Sequence, residues 1–177
     1  MSMFKDRREA GRQLSEKLKK YKDSDEVVVL GLPRGGVVVA YEVAVELDAP
    51  LDVYIVRKLG TPRQQELAMG AIASGGIRIM NDRIVRSLNL SQSEVDAVAA
   101  HEGEELQRRE KKYRGDRARI PLEEKIVILV DDGLATGASM KAAVQAVRKE
   151  SPKKIIVAVG TAPIDTLHEF RGMDDVD

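Results

Sequence analysis

The chain has 177 residues, enough for one domain with a buried core, and its 29 acidic and 29 basic residues leave it with no net charge. A neutral chain has no basic field to attract nucleic acid or an anionic membrane, so small-molecule partners are favoured. The absence of cysteine excludes disulfides, thiolate zinc sites and a cysteine nucleophile. No apolar run reaches transmembrane length and the charged N-terminus is unlike a signal peptide, so the expected location is the cytoplasm.

The N-terminal third of the chain predicts a helix, a strand and a second helix. Apolar residues at helical spacing predict the first helix over residues 4–21. Val27 to Leu30 reads as a buried strand, and a helix is predicted from about Val37 to the break at Pro50. The loop between them, Gly31 to Gly36, contains glycines that let the backbone approach a ligand and a permanent cation, Arg34. It suits a diphosphate, although on its own it could equally be a turn with an exposed arginine.

The middle of the chain predicts a further strand, a hairpin and a long helix. Leu51 to Val56 reads as a strand that ends at Arg57 and Lys58, which would reach the same sheet edge as Arg34 if the strands are parallel. A glycine turn at residues 74–76 predicts a β-hairpin within residues 60–81, with a mobile front half. Ser91 opens a capping box before a charged helix that extends to about residue 113. That helix is expected to be an exposed arm or a partner surface.

The stretch from Ile126 to Met140 carries the strongest functional signal. Residues 126–130 are aliphatic without alternation, which is typical of a parallel strand buried on both faces. Asp131 and Asp132 follow at its carboxyl end, where ligands bind in open α/β sheets. The next residues are small or carry hydroxyl groups and lead into a helix, which suits a phosphate. One element therefore offers acceptors for sugar hydroxyls or a cation, and donors for a phosphate.

Other interpretations of this stretch are weaker. Paired acids at a strand end also occur in phosphoacceptor proteins and metal-dependent phosphatases, but those do not need the Thr-Gly-Ala-Ser loop that follows here. The loop lacks the Gly-Lys-Ser/Thr ending of a Walker A site. A polar turn with an aspartate cap would explain one acid but not both. A helix from Met140, a strand over residues 154–159 and a short helix over 165–170 complete an alternating α/β pattern.

The sequence VILVDDGLATGAS resembles the phosphoribosyl pyrophosphate (PRPP) motif of type I phosphoribosyltransferases. The resemblance implies that family's α/β fold, with a central parallel sheet flanked by helices and a β-hairpin flexible loop that closes over substrate. It also implies a single domain over residues 1–177, with a helical insertion at about 88–119 similar to that of a bacterial and archaeal subgroup. Family members usually continue into a hood that helps hold the acceptor, and this hood is expected to be incomplete here.

The same resemblance assigns roles to particular residues. Asp131 and Asp132 would hold the ribose hydroxyls, directly or through Mg²⁺ that arrives with PRPP. The 5-phosphate would be held by the loop after them, at Ala135, Thr136, Gly137, Ala138 and Ser139. The pyrophosphate would be held by Leu32, Pro33, Arg34, Gly35, Gly36, Arg57 and Lys58. The side chains expected to take part in catalysis are Asp131, Asp132, Arg34, Arg57 and Lys58.

The implied activity is transfer of the phosphoribosyl group to a nitrogen acceptor, a nucleobase, with release of pyrophosphate. Ala135 stands where 6-oxopurine transferases usually carry an acid, which argues against hypoxanthine or guanine and makes the loop more similar to that of adenine transferases in purine salvage. Two other interpretations stay open: a regulator of the same fold that binds PRPP or a nucleotide without catalysis, and an assembly subunit that uses its charged helix. A homodimer is usual in the family.

Overall fold

The computed structural model describes residues 4–134, 136–173 and 176. Within this part of the chain, the strands in order are β1 (Val27–Gly31), β2 (Leu51–Val53), β3 (Val56–Gly60), β4 (Ala68–Ala73), β5 (Ile77–Met80), β6 (Ile126–Gly133) and β7 (Lys154–Thr161). The α-helices are α1 (Arg7–Lys17), α2 (Gly35–Leu47), α3 (Asp82–Ser87), α4 (Gln92–Arg114), α5 (Ala138–Arg148) and α6 (Ile164–Arg171).

A four-stranded parallel sheet forms the centre of the fold. Its order is β2-β1-β6-β7, and each neighbouring pair is parallel. Val29 of β1 is in register with Leu51 on one side and Ile128 on the other. The five residues of β1 are buried, and so are the four aliphatic residues that follow Ile126 in β6. The predicted α/β fold with a central parallel sheet is therefore confirmed.

Helices cover both faces of this sheet. α1 and α2 pack against one face, where Val39, Val43 and Leu47 of α2 join the inward side chains of β1 and β6. α5 covers the other face through the predicted apolar stripe, of which Met140 and Val144 are fully buried. The first helix begins at Arg7 rather than Phe4, because Asp6 caps it by accepting a hydrogen bond from the backbone N–H of Glu9.

The predicted strand over Leu51 to Val56 is confirmed only as far as Val53, because the chain changes sheet at Tyr54. β2 ends at Val53, and β3 begins a separate three-stranded antiparallel sheet of order β3-β4-β5. The hairpin of β4 and β5 turns the chain: Ser74 accepts a hydrogen bond from the N–H of Ile55 with its hydroxyl and donates one from its own N–H to the carbonyl of Ile55. The β-hairpin was correctly predicted, with its turn at glycines that both have positive φ.

The charged helix α4 lies against this second sheet. Ser91 caps it as predicted, and Val95, Ala99 and Leu106 pack on β3 and β4. Arg114 anchors its last turn with a buried guanidinium that pairs with Asp52 of β2 and with Glu110. That α4 is an insertion in a single domain stays a prediction. Among the described residues, no helix is both long and apolar enough to span a membrane.

Candidate active site

Asp131 and Asp132 lie at the carboxyl end of β6 and remain part of the strand, which extends to Gly133. Both residues are half-buried. Each carboxylate is held by the backbone that follows it: Oδ1 of Asp131 accepts from the N–H of Asp132 over 2.8 Å, and Oδ1 of Asp132 accepts from the N–H of Gly133 over 2.9 Å. These two hydrogen bonds hold both carboxylates against the backbone.

The two carboxyl groups differ in their proton affinity. Burial, together with a hydrogen bond to Asp132, raises the pKa of Asp131 to about 7. Burial would also raise the pKa of Asp132, but hydrogen bonds from Asp131 and Arg7 outweigh it and lower that pKa below its ordinary value. At neutral pH Asp131 is therefore about half protonated, whereas Asp132 is ionised. A protonated carboxyl can donate a hydrogen bond, whereas its charged neighbour only accepts.

The loop after β1 lies directly against this acidic pair. Its entry is fixed by Leu32, whose N–H donates to the carbonyl of Val130 over 3.0 Å, and the peptide bond between Pro33 and Arg34 is cis. α2 begins at Gly35, and a Cβ there would stand 2.2 Å from Oδ2 of Asp132. A Cβ on Gly36 would stand 3.1 Å from Oδ1 of Asp131 and 2.7 Å from the carbonyl oxygen of Val130. Any side chain at these two positions would collide with the acids or with β6.

The loop after β6 leads into α5. Ala135 lies outside the described residues. The hydroxyl of Thr136 accepts from the N–H of Ala138 over 3.3 Å, and Gly137 has a φ of 78°, a left-handed conformation that favours glycine. Gly137 is buried against α6, where Phe170 and Thr166 leave no room for a side chain. Thr136, Ala138 and Ser139 are exposed at the start of α5. The start of α5 is therefore exposed, although the N–H of Ala138 already donates to Thr136.

The two predicted cations in the middle of the chain do not lie at the end of a parallel strand, which corrects the prediction. Arg57 and Lys58 are in β3 of the second sheet. The Nε of Arg57 pairs with Glu102 of α4 over 2.6 Å, and the exposed Nζ of Lys58 reaches the carbonyl oxygen of Glu66 at 3.4 Å. Within the described ranges neither contacts the acidic pair. Arg34, in contrast, is exposed immediately before the first turn of α2.

One residue beside the acidic pair was not predicted. Arg7, at the start of α1, donates from Nε to Oδ2 of Asp132 over 3.1 Å. In the sequence it is one of many charges on the polar face of a surface helix, and nothing local distinguishes it. Only the packing of α1 on α2 brings it to the site.

The oxygen atoms available at the site can be compared with the ligands that Mg²⁺, the metal implied by the sequence, prefers. In the part of the chain that the structure describes, no group of three or more histidine, aspartate or glutamate residues is placed to hold a metal. Two carboxylates stand together at Asp131 and Asp132, with oxygens that can accept further bonds. Mg²⁺ prefers such hard oxygen ligands and commonly uses one or two carboxylates plus substrate phosphates. The pair therefore fits Mg²⁺ that comes with a phosphorylated ligand.

The fold and these residues define a class of protein. A parallel α/β sheet carries two acids at the end of a central strand, and the first turns of two helices follow the loops on either side. Acids can bind hydroxyl groups or a cation, and helix N-termini can bind phosphate, so the class is an α/β protein whose sheet edge suits a phosphorylated small molecule.

Comparison with known proteins makes the class more specific. The family described as phosphoribosyl transferase domain matches residues 2–169. A Mycobacterium tuberculosis protein, named provisionally as a phosphoribosyl transferase, is 50% identical over 175 residues, which is 99% of this chain but 39% of the relative. The chain thus belongs to the phosphoribosyl transferase family, as its PRPP motif predicted, and it spans about two fifths of the length of the curated relatives it matches.

Two solved structures share the fold. The protein TT1426 of Thermus thermophilus is 42% identical and superposes with a TM-score of 0.82, covering 98% of this chain and 82% of its own. The AQ2163 protein of Aquifex aeolicus is 12% identical with a TM-score of 0.55, covering 96% of this chain and 71% of its own. At that low identity the second likeness concerns the fold alone.

Proposed function

We propose that this chain is a phosphoribosyltransferase that transfers the 5-phosphoribosyl group of PRPP to a nitrogen acceptor and releases pyrophosphate. The observation that carries the proposal is the contact between two elements far apart in sequence: Gly35, in the first turn of α2, lies against the carboxylate of Asp132 at the end of β6. Family membership supports it. If the chain is part of a longer protein, we propose the same activity for that protein.

The proposed binding mode divides PRPP among three parts of the site. Asp131 and Asp132 bind the ribose hydroxyls. The loop at Thr136, Gly137, Ala138 and Ser139, together with Ala135, binds the 5-phosphate through the N-terminus of α5. The loop from Leu32 to Gly36 binds the pyrophosphate with its backbone and with Arg34. Arg57 is held by Glu102, so its proposed pyrophosphate contact requires it to leave that ion pair, whereas Lys58 lines one cavity together with Ala138 and Ser139 at the start of α5.

The reaction breaks the bond between ribose C1 and the pyrophosphate oxygen and forms one between C1 and the acceptor nitrogen. The electron pair leaves with pyrophosphate, and the acceptor loses a proton. Positive charge develops on the ribose as the polyanion departs, so the chain has to hold both partners in line and stabilise the leaving group. Mg²⁺, when bound with PRPP, would neutralise phosphate charge, with Asp131 and Asp132 as its protein contacts. In this binding mode the half-protonated Asp131 would donate to or accept from a ribose hydroxyl.

The acceptor is proposed to be a nucleobase, with adenine favoured over hypoxanthine and guanine. This rests on Ala135, because a methyl group offers no acid to the purine nitrogen. It would place the activity in purine salvage and in the cytoplasm, and a homodimer remains the expected assembly.

Isothermal titration and a pyrophosphate-release assay test the proposal. Wild-type protein should bind PRPP with Mg²⁺, and one base of a panel should trigger stoichiometric pyrophosphate release. The double variant Asp131→Asn/Asp132→Asn should lose PRPP binding while it remains folded. Its matched control is Glu123→Gln/Glu124→Gln, an adjacent pair of exposed acids before β6, which removes the same charge away from the site.

The results separate the alternatives. Binding of PRPP without base-dependent release would favour a regulator that binds but does not transfer. If the wild-type chain did not bind PRPP, both the transferase and the regulator would be contradicted, and an assembly role for the charged helix α4 would be favoured. Retained PRPP affinity in the double aspartate variant would refute the proposed site.

A further inference from the structure

Arg7 of α1 lies beside two parts of the proposed PRPP site. Its Nε is 3.1 Å from Oδ2 of Asp132. The same Nε is 3.0 Å from the point where a Cβ on Gly35 would stand, so the guanidinium is next to the first turn of α2. A cation from the N-terminal helix thus lies between the acid proposed for the ribose and the backbone proposed for the pyrophosphate.

The packing of two helices places Arg7 there. Gly11 allows α1 to approach α2 so closely that a Cβ on it would be 2.6 Å from Cβ of Glu42 and 2.9 Å from the carbonyl oxygen of Val39. Arg7 contacts Gly35. Four residues further along α1, Gly11 contacts Val39, which is also four residues further along α2. The helices therefore run parallel, and both begin at the same sheet edge.

The guanidinium retains donors for a second partner. Arginine carries five N–H groups in a planar fork, and Asp132 accepts from only one of them, at Nε. No acceptor for the two terminal nitrogens is found among the residues that the structure describes. The Arg7 side chain is 59% exposed, so a ligand can reach it. Phosphate oxygens are preferred partners of this fork, because two parallel charge-assisted hydrogen bonds can form.

We propose that Arg7 binds the pyrophosphate group of PRPP through its terminal nitrogens while Nε still contacts Asp132. The inference rests on the proposed function and adds a residue to it that the PRPP motif does not contain. Arg7 would then contribute to recognition of the leaving group and would not contribute to recognition of the ribose 5-phosphate portion.

Binding of two ligands to Arg7→Gln tests this. Affinities for PRPP, and for ribose 5-phosphate in competition with PRPP, are measured by calorimetry with Mg²⁺. Arg7→Gln should lower the affinity for PRPP about tenfold or more, which is the size expected for loss of a charge-assisted contact. The affinity for ribose 5-phosphate should stay within about twofold of the wild-type value. The matched control is Arg12→Gln, which removes the same charge from an exposed position on the same helix and should change neither affinity.

The other outcomes each overturn a defined part of the inference. An equal loss of affinity for PRPP and for ribose 5-phosphate would mean that Arg7 acts only by positioning Asp132 at the ribose. No loss for either ligand would reduce the contact to a surface ion pair. Failure of the wild-type protein to bind PRPP would overturn the proposed function, and this inference with it, whereas wild-type binding with an unaffected Arg7→Gln would overturn the inference alone.

Discussion

Substitution of Asp131 by asparagine should make the chain more stable at alkaline pH. The pKa of this carboxyl is about 7 in the folded protein against an ordinary value of 3.8, mainly because of burial. A raised pKa means that the folded state holds the proton more tightly, so the stabilisation is complete below about pH 4 and is lost as the pH rises to about 7. Asparagine resembles the protonated carboxyl: its oxygen can accept from the N–H of Asp132, and its amide can donate to the neighbouring carboxylate.

The size of the effect follows from the pKa difference. Each pH unit between the two values is worth about 1.4 kcal/mol, so the difference corresponds to at most about 4 kcal/mol. Asp131 is only half-buried, and solvent screening reduces this to about 1–2 kcal/mol. We expect Asp131→Asn to raise the free energy of unfolding by that amount at pH 8, with little gain at pH 4.

Urea unfolding at pH 4, 6 and 8 without Mg²⁺ measures this gain. Asp132→Asn is the matched control and should not become more stable at pH 8, because the pKa of Asp132 is lowered and its charge is stabilising when Arg7 is near. A loss of stability in Asp131→Asn at pH 8, or a gain that is the same at all three values, would refute the electrostatic reasoning.

Three further changes test other contacts. Glu102→Gln frees Arg57 from its ion pair and should raise PRPP affinity several-fold by calorimetry if Arg57 binds pyrophosphate; Glu104→Gln, exposed on the same helix, should not. Gly137→Ala should cost about 2–4 kcal/mol in urea unfolding, because its Cβ would be 2.9 Å from the Phe170 ring, whereas Gly76→Ala, with a similar φ and nothing within 4 Å, should cost about 1 kcal/mol. Arg114→Ala should cost about 3–5 kcal/mol, since it leaves two buried acids without their cation; a cost below about 1 kcal/mol would contradict this.

The sheet and the acidic pair were predictable because their signals are local. An unbroken aliphatic run, two acids and a small-residue turn occupy consecutive positions from Ile126 onward, and the ends of parallel strands always meet at one edge. The capping box at Ser91 and the glycine turn at residues 74–76 are equally local, and both predictions were confirmed. Each of these features depends on neighbours in the chain, so the sequence alone carries the information.

The error over Leu51 to Val56 and the omission of Arg7 have the opposite cause. No residue type marks the change of sheet at Tyr54, because the hydrogen bonds that turn the chain come from Ser74, about twenty positions away. Arg7 reaches Asp132 across 125 positions, through a helix contact that depends on Gly11. Predictions of this kind require knowledge of which surfaces pack together, and hydrophobic periodicity does not supply it.

Several charges around the site have partners within the chain itself. Asp132 has Arg7 as its partner, Asp131 is about half protonated at neutral pH, and Arg57 is held by Glu102. Two adjacent acids without partners would repel each other and lose solvation, so this internal pairing lowers the cost of placing them together. In the proposed binding mode, PRPP would displace Glu102 from Arg57, whereas Arg7 would keep its contact with Asp132 and add one to the pyrophosphate. Because an exchanged ion pair lowers the net gain, affinity would depend on the difference between the two sets of contacts, and Glu102 would change it without touching the ligand.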